Sequence, residues 1–150
     1  MTTLTLAACL PFCLLSANPE TYAEAHRLTS QTGKPLVVMV GTEWCGPCQQ
    51  MKKTLPQVRE RGLLGRVAFA TVNADDEAEL ARKITGGGPV PQLVMFRRTP
   101  QGWMRRKLVG GQSLEAVEKF ISEGLAQDNA EKAAEGQFEQ LPNADERAGT

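Results

Sequence analysis

The sequence is poor in the residues that build metal centres, and its charge is balanced. It contains one histidine, His26, and four cysteines among 150 residues. A zinc site built on Cys45 and Cys48 would need two more ligands, and the other cysteines, Cys9 and Cys13, lie in an apolar N-terminal stretch. Lys and Arg number 17, as do Asp and Glu, so there is no electrostatic argument for a nucleic-acid surface. We therefore expect neither a metal nor a nucleic acid as ligand.

The sequence also lacks a hydrophobic run long enough to cross a bilayer. Residues 1–18 carry no charge, but their apolar part is short and is interrupted by Pro11. The segment resembles the core of a secretory signal ending near Ser16–Ala17, although the positive n-region is missing. Leu6–Cys9 also resembles a lipoprotein processing box, and Thr2–Leu6 could instead form a first strand. We predict an exported protein, periplasmic or membrane-facing; the alternative is a cytoplasmic one.

The length and the 41% hydrophobic content predict one globular domain, assigned to residues 19–125. From Leu125 onward the chain has six acidic and two basic residues, a net charge of −4, which leaves +4 for the remainder. Beyond Gln127 only Phe138 and Leu141 are large and apolar. Residues 126–150 are therefore expected to form an acidic, disordered tail that the fold does not need, beginning as a frayed helix that passes into disorder.

Hydrophobic periodicity and turn residues predict an α/β chain with alternating helices and strands, ending in a hairpin and a helix. The predicted helices run from Asn18–Pro19 to Thr32, from Cys48 to Thr54 with a break or kink at Pro56, over Asp75–Ile84, and from Leu114 to Gly124 with Ser113 as cap. The predicted strands are Leu36–Val40, Val67–Val72, Gln92–Phe96 and Trp103–Val109.

The pentapeptide Trp44–Cys48 lies at the junction between a buried strand and a helix. A C-x-x-C motif there places its first sulfur where free N–H groups and the positive end of the helix dipole favour a thiolate. The second sulfur lies one turn into the helix, close enough to the first to close a small disulfide ring. The pattern predicts a dithiol redox site.

From about Pro19 to Gly124 the chain resembles the thioredoxin superfamily. Trp44-Cys45-Gly46-Pro47-Cys48 is identical to the thioredoxin active-site motif. Val90–Pro91 opens a strand 46 residues after Cys45, where the family places its cis-proline, and Gly110 matches the family's glycine near the site. The resemblance implies a thioredoxin-like fold, a central mixed β-sheet flanked by helices.

The resemblance also implies a role for each matched residue. Cys45 would be the exposed nucleophile and Cys48 the resolving thiol, so that a redox-active disulfide replaces any cofactor. The remaining matched residues would form the substrate-binding surface: Trp44 as an apolar flank, Gly46 and Pro47 as the tight turn, the backbone of Val90 as a pairing edge, cis-Pro91 against the sulfurs, and Gly110 beside them.

Two residues depart from the thioredoxin pattern. Thioredoxins carry a buried aspartate six residues before the first cysteine, paired with a lysine on the neighbouring strand; this sequence has Met39 and Thr71 there. It is physically reasonable that the aspartate and the lysine are absent together, because either charge alone would be buried without a partner, which is costly. Their absence leaves open how Cys48 loses its proton, with water or Glu43 as possible bases.

The leading hypothesis is a monomeric thiol:disulfide oxidoreductase that acts on protein disulfides and receives electrons from an upstream thiol reductant. Pro47 stands where strongly oxidising relatives place a histidine, which favours a reducing potential. One alternative is a periplasmic disulfide oxidase or isomerase. Another is a non-catalytic thioredoxin-like module that binds a partner or a metal.

Overall fold

The computed structural model describes residues 21–138 of the chain. The export signal, the alternative first strand at Thr2–Leu6 and the last twelve residues of the predicted tail lie outside the described residues. In chain order the elements are α1 (Tyr22–Thr32), β1 (Leu36–Gly41), α2 (Gly46–Glu60), a short 3₁₀ helix (Leu64–Arg66), β2 (Ala68–Asn73), α3 (Ala78–Thr85), β3 (Gln92–Thr99), β4 (Gly102–Val109) and α4 (Leu114–Phe138). Within these residues no helix is long and apolar enough to cross a membrane.

The four strands form one mixed sheet in the order β2-β1-β3-β4. β1 pairs with β2 in parallel and with β3 antiparallel, and β3 pairs antiparallel with β4 as the predicted hairpin. Because β1 is central and covered on both faces, all six of its residues are buried. The α/β class with a mixed sheet flanked by helices is confirmed.

Alternate residues of the strands contribute to two cores, one on each face of the sheet. The core under α2 and α4 contains Met39, Cys48 and Met95. The core under α1 and α3 contains Val38 and Val94. The redox cysteines therefore lie at the edge of the first core, at the end of the sheet where β1 passes into α2.

The predicted strands and α3 agree with the structure to within about three residues at each end. Two predicted helix-terminal residues, Ser113 and Gly33, also agree with the structure. Ser113 caps α4 through a hydrogen bond from the Ala116 N–H to its Oγ (3.3 Å), and Gly33 ends α1 in the left-handed conformation. The start of α1 was predicted too early. Thr21 and Glu24 form a capping box at Tyr22, whereas the predicted start at Asn18–Pro19 lies outside the described residues.

α2 continues through Pro56 to Glu60, so the predicted end at Thr54 is wrong and Pro56 does not break the helix. Pro56 has no N–H to donate within the helix, but it lies on the exposed side, where water can hydrogen-bond the carbonyl that is left without a partner. Met51 and Val58, on either side of the proline, are both buried in the core. Packing on both sides thus keeps the two halves in one helix.

α4 continues to Phe138, fourteen residues beyond its predicted end, so residues 126–138 form a continuous helix and not the expected frayed helix passing into disorder. Its buried positions keep a helical spacing past the predicted end, from Val117 and Ile121 to Leu125 and Asp128. The helix therefore docks along one continuous face and crosses the predicted domain boundary at residue 125 without interruption.

Polar contacts hold the second half of α4. Arg97 of β3, whose side chain is only 4% exposed, forms an ion pair with Glu131 at 3.0 Å. Lys132 bonds both to the buried Asp128 (2.6 Å) and to the carbonyl oxygen of Gly33 at the end of α1 (2.9 Å). The sequence alone did not indicate the contacts of Arg97 with Glu131 and of Lys132 with Gly33, because they join residues far apart in the chain.

Candidate active site

Cys45 is the residue that caps the N-terminus of α2. Its backbone is extended, and its Sγ accepts a hydrogen bond from the backbone N–H of Cys48 at 3.2 Å. Pro47 occupies the first turn, where its missing N–H costs nothing. Cys45 and Cys48 form a disulfide, with their Cα atoms 5.2 Å apart. The same N–H and the helix dipole would stabilise a negative charge on the Cys45 sulfur after reduction.

The two cysteines differ in exposure as the sequence predicted, but by less. Cys45 is 7% exposed in the disulfide form, so it is not the openly exposed residue expected, and Cys48 is completely buried. The protruding side chain is Trp44, which is 76% exposed. Trp44 is therefore not a core residue, and its role as an apolar flank of the site stays a prediction. Gly46 and Pro47 are exposed beside it.

The Val90–Pro91 peptide bond is cis, as the resemblance implied. The carbonyl oxygen of Val90 lies 3.9 Å from the Cys45 sulfur. The backbone N–H of Gly110, which has a positive φ of 89°, donates to the carbonyl oxygen of Pro91 at 2.8 Å. The cysteines, the cis-proline and Gly110 are thus brought together at one end of the sheet.

Two glycines that the sequence analysis did not select permit the close packing of this site. A Cβ on Gly111 would lie 3.1 Å from the Cβ of Pro47, and one on Gly41 would lie 3.1 Å from the Cys48 sulfur. A larger residue at either position would therefore push against the motif. Their positions were the available sequence signal, since Gly41 ends the strand that leads to the motif and Gly111 follows closely on the last strand.

Gln92 was also missed. It is 1% exposed, and its side-chain amide donates to the carbonyl oxygens of Pro89 (2.9 Å) and Gly87 (3.3 Å). These bonds hold the glycine-rich loop that precedes the cis-proline. A buried amide at the start of an otherwise apolar strand was the sequence signal, because such a group needs partners.

Met39 and Thr71 lie side by side, as partners in the parallel register of β1 and β2. Met39 is fully buried in the same core as Cys48. Thr71 lines a cavity of about 430 Å³ together with Lys52 and Phe69. The position where the resemblance would place a buried carboxylate therefore holds a thioether in apolar surroundings.

Glu43, the alternative base, is already engaged on the surface. Its carboxylate accepts hydrogen bonds from Lys52 (2.6 Å) and from the side chain of Gln49 (3.3 Å). The bond from Lys52, then that from Gln49, holds the pKa of Glu43 below its ordinary value. A carboxylate with a lowered pKa is a weaker proton acceptor, so Glu43 is poorly suited to take a proton from Cys48.

Among residues 21–138, no group of three or more His, Cys, Asp or Glu side chains is placed to hold a metal ion. The chemistry that this site offers is exchange between a dithiol and a disulfide. A sequence model of the family described as Thioredoxin matches residues 16–123. The chain belongs to the thioredoxin family.

Similar proteins include known thioredoxins. A thioredoxin from Alicyclobacillus acidocaldarius is 30% identical over 95 residues, covering 63% of this chain and 86% of that protein. Mitochondrial thioredoxin-2 of Schizosaccharomyces pombe is 35% identical over 65 residues, covering 43% of this chain, so this thioredoxin-family chain spans only 47% of that relative. The solution structure of a thioredoxin from Thermus thermophilus superposes with a TM-score of 0.64 at 26% identity, over 74% of this chain and 88% of that one.

Proposed function

We propose that the protein is a thiol:disulfide oxidoreductase of the thioredoxin type, which reduces or exchanges protein disulfides through Cys45 and Cys48. The observation that carries this proposal is the position of the Cys45 sulfur. It accepts the Cys48 N–H at the start of α2 and lies 3.9 Å from the carbonyl oxygen of Val90, which precedes cis-Pro91.

In the reducing direction the Cys45 thiolate attacks one sulfur of a substrate disulfide. The substrate S–S bond breaks, one substrate thiolate leaves, and a mixed disulfide with Cys45 forms. The Cys48 thiolate then attacks the Cys45 sulfur and releases the second substrate thiolate. Two electrons have passed to the substrate, and the Cys45–Cys48 disulfide that results must be reduced by an external dithiol.

The surroundings of Cys45 suit an extended protein segment as substrate. Trp44 and Pro47 present exposed apolar surface on one side of the sulfur. The backbone of Val90, whose carbonyl oxygen lies 3.9 Å from the sulfur, can pair with a substrate strand, and the hydrogen bond from Gly110 to Pro91 holds the backbone next to it.

Pro47 favours reduction as the physiological direction, because a histidine there would stabilise the Cys45 thiolate and raise the potential. A periplasmic oxidase or isomerase would have a potential closer to about −120 to −180 mV than to the roughly −270 mV of thioredoxin. Equilibration with glutathione or dithiothreitol redox buffers separates these two readings.

The activity is tested by the reduction of insulin with dithiothreitol as the electron source. The full chain should accelerate insulin precipitation, and Cys45→Ser should abolish the acceleration. A wild-type protein that did not accelerate the reaction would support the remaining alternative, a non-catalytic module that binds its partner or a metal.

We further propose that the protein is exported through residues 1–18, acts as a monomer and is recharged by an upstream thiol reductant. The start of the family match at residue 16 supports a separate N-terminal segment. Expression with its own N-terminus in a bacterium, followed by fractionation and N-terminal sequencing, should give a periplasmic protein that begins after Ala17. An intact N-terminus in the cytoplasm would contradict export. Light scattering tests the monomer.

A further inference from the structure

β4 is the outer strand of the described sheet, and it runs from the end of the molecule opposite the redox site to the redox end. It pairs with β3 on one side only. Its last residue precedes Gly110, which bonds to Pro91, whereas Gly102 begins the strand at the far end. Eight residues span about 27 Å. An outer strand of this length offers unpaired backbone groups to an added strand.

One face of β4 is exposed and combines apolar and basic side chains. Trp103, Arg105, Lys107 and Val109 alternate along this face, and Trp103 and Val109 are 53% and 39% exposed. Arg98 of β3 is the direct neighbour of Trp103 across the hairpin. Charges on an outer strand are commonly a protection against aggregation, but that role does not require an exposed tryptophan.

The cations on this face are available for a ligand. Arg98 and Lys107 form no ion pair with any carboxylate of the side chains that the structure describes, and neither does Arg105. Arg106, which points to the opposite face, is by contrast paired with Glu123 and lies over the ring of Phe120.

A small cavity lies at the far end of the same face. It measures about 100 Å³ and is lined by Trp103, Arg98, Lys34 and Thr29 among others. Thr29 is 4% exposed, and its hydroxyl has no hydrogen-bond partner among the described residues. Arg98 and the unpartnered buried hydroxyl form a donor set that suits a carboxylate, and the volume suits a group of that size. The amine of Lys34, which already donates a hydrogen bond to the carbonyl oxygen of Gly65 at 3.0 Å, adds positive charge.

We propose that this surface, named here the β4 docking edge (Arg98, Trp103, Arg105, Lys107 and the cavity at Thr29), binds an extended acidic segment of a partner protein. The segment would add a strand to β4, pair its acidic side chains with the cations, and place one carboxylate in the cavity. Backbone pairing supplies affinity and the charges supply selectivity. The proposal is independent of the redox activity.

The test uses the full chain and a cysteine-free fluorescent peptide of about ten residues in which Glu and Thr alternate. The peptide should bind saturably in fluorescence anisotropy, and binding should weaken as NaCl rises from about 0.05 to about 0.5 M. Arg98→Gln combined with Lys107→Gln should weaken it about tenfold, and Trp103→Ala should weaken it as well. Lys53→Gln combined with Lys119→Gln, an equal loss of charge at exposed positions of α2 and α4, should leave it unchanged.

Hydrogen exchange locates the contact. Residues 102–109 should gain protection when the peptide is added, and the double variant should still reduce hydroxyethyl disulfide at the wild-type rate. The proposal is overturned if the Glu/Thr peptide does not bind, or if a peptide with Lys in place of Glu binds equally well. It is also overturned if the protection from exchange lies outside residues 102–109, or if the protein binds vesicles of phosphatidylglycerol but not the peptide. Because binding is measured without turnover, its failure is distinct from failure of the redox proposal.

Discussion

Met39 gives the buried thiol of Cys48 an apolar environment in place of a carboxylate. It lies opposite Thr71 in the register of β1 and β2, and it packs in the same core as Cys48. A buried thiol in apolar surroundings loses its proton less readily, because burial disfavours the charged form. The attack of Cys48 on the mixed disulfide should therefore be the slow step of the cycle.

Introducing a carboxylate next to Cys48 should accelerate that step. Met39→Asp combined with Thr71→Lys should speed the decay of the mixed disulfide near neutral pH, measured by stopped flow. Met39→Asp alone is the control, and it should destabilise the fold by roughly 3 kcal/mol because its charge is buried without a partner. Equal rates in the wild type and the double variant would show that the proton already has an efficient route.

Glu43 provides a prediction about pH. The bond from Lys52 lowers its pKa, so Glu43 stays ionised throughout the neutral range, and its contribution to stability is lost only as the pH falls through that lowered value. Glu43→Gln should consequently change the rate of the resolving step by less than about twofold between about pH 6 and pH 8. If the rate of the resolving step no longer increased with pH in this variant, Glu43 would instead be identified as the base.

At the scale of elements, the sequence predicted which segments form helices and strands but not where two helices end. Pro56 and Gly124 are both residues that commonly stop a helix, and both lie inside one. In each case tertiary packing overrides the local preference. Gly124 is needed because α4 approaches β3 closely there: a Cβ would overlap with the sulfur of Met95 and lie 2.8 Å from its Cε.

Gly124→Ala should therefore destabilise the protein, although alanine favours helix. The gain of about 1 kcal/mol in helix propensity is smaller than the roughly 1–3 kcal/mol cost of overpacking a fully buried methionine. Chemical denaturation should show a net loss, whereas Ser122→Ala on the exposed side should show none. A more stable Gly124→Ala variant would mean that Met95 repacks without cost.

The second half of α4 should be required for stability. Truncation after Gln127 removes Glu131 and leaves Arg97 buried without its partner, which should cost about 2 kcal/mol or more. Truncation after Phe138 keeps every described contact and serves as the control. Equal unfolding midpoints for the two truncations would restore the original expectation of a dispensable tail.

At the scale of the whole molecule, the chemistry was readable from the sequence because it resides in five consecutive residues. The position of Pro91 could be inferred from the resemblance, and its cis bond agrees. The supporting contacts could not be predicted: Gly111 against Pro47, and Arg97 with Glu131, depend on how distant elements meet. A single sequence contains the residues of such pairs without indicating that they touch.

The division of labour between the two cysteines is the central claim, and trapping the mixed disulfide tests it most directly. The Cys45→Ser and Cys48→Ser variants, each with Cys9 and Cys13 also replaced by Ser, are reduced and mixed with a peptide that contains a disulfide, and intact-mass spectrometry measures the adduct. Cys48→Ser should accumulate a stable adduct on Cys45, and Cys45→Ser should form none. An adduct on Cys48 in the Cys45→Ser variant, or full turnover by Cys48→Ser, would contradict the assigned roles.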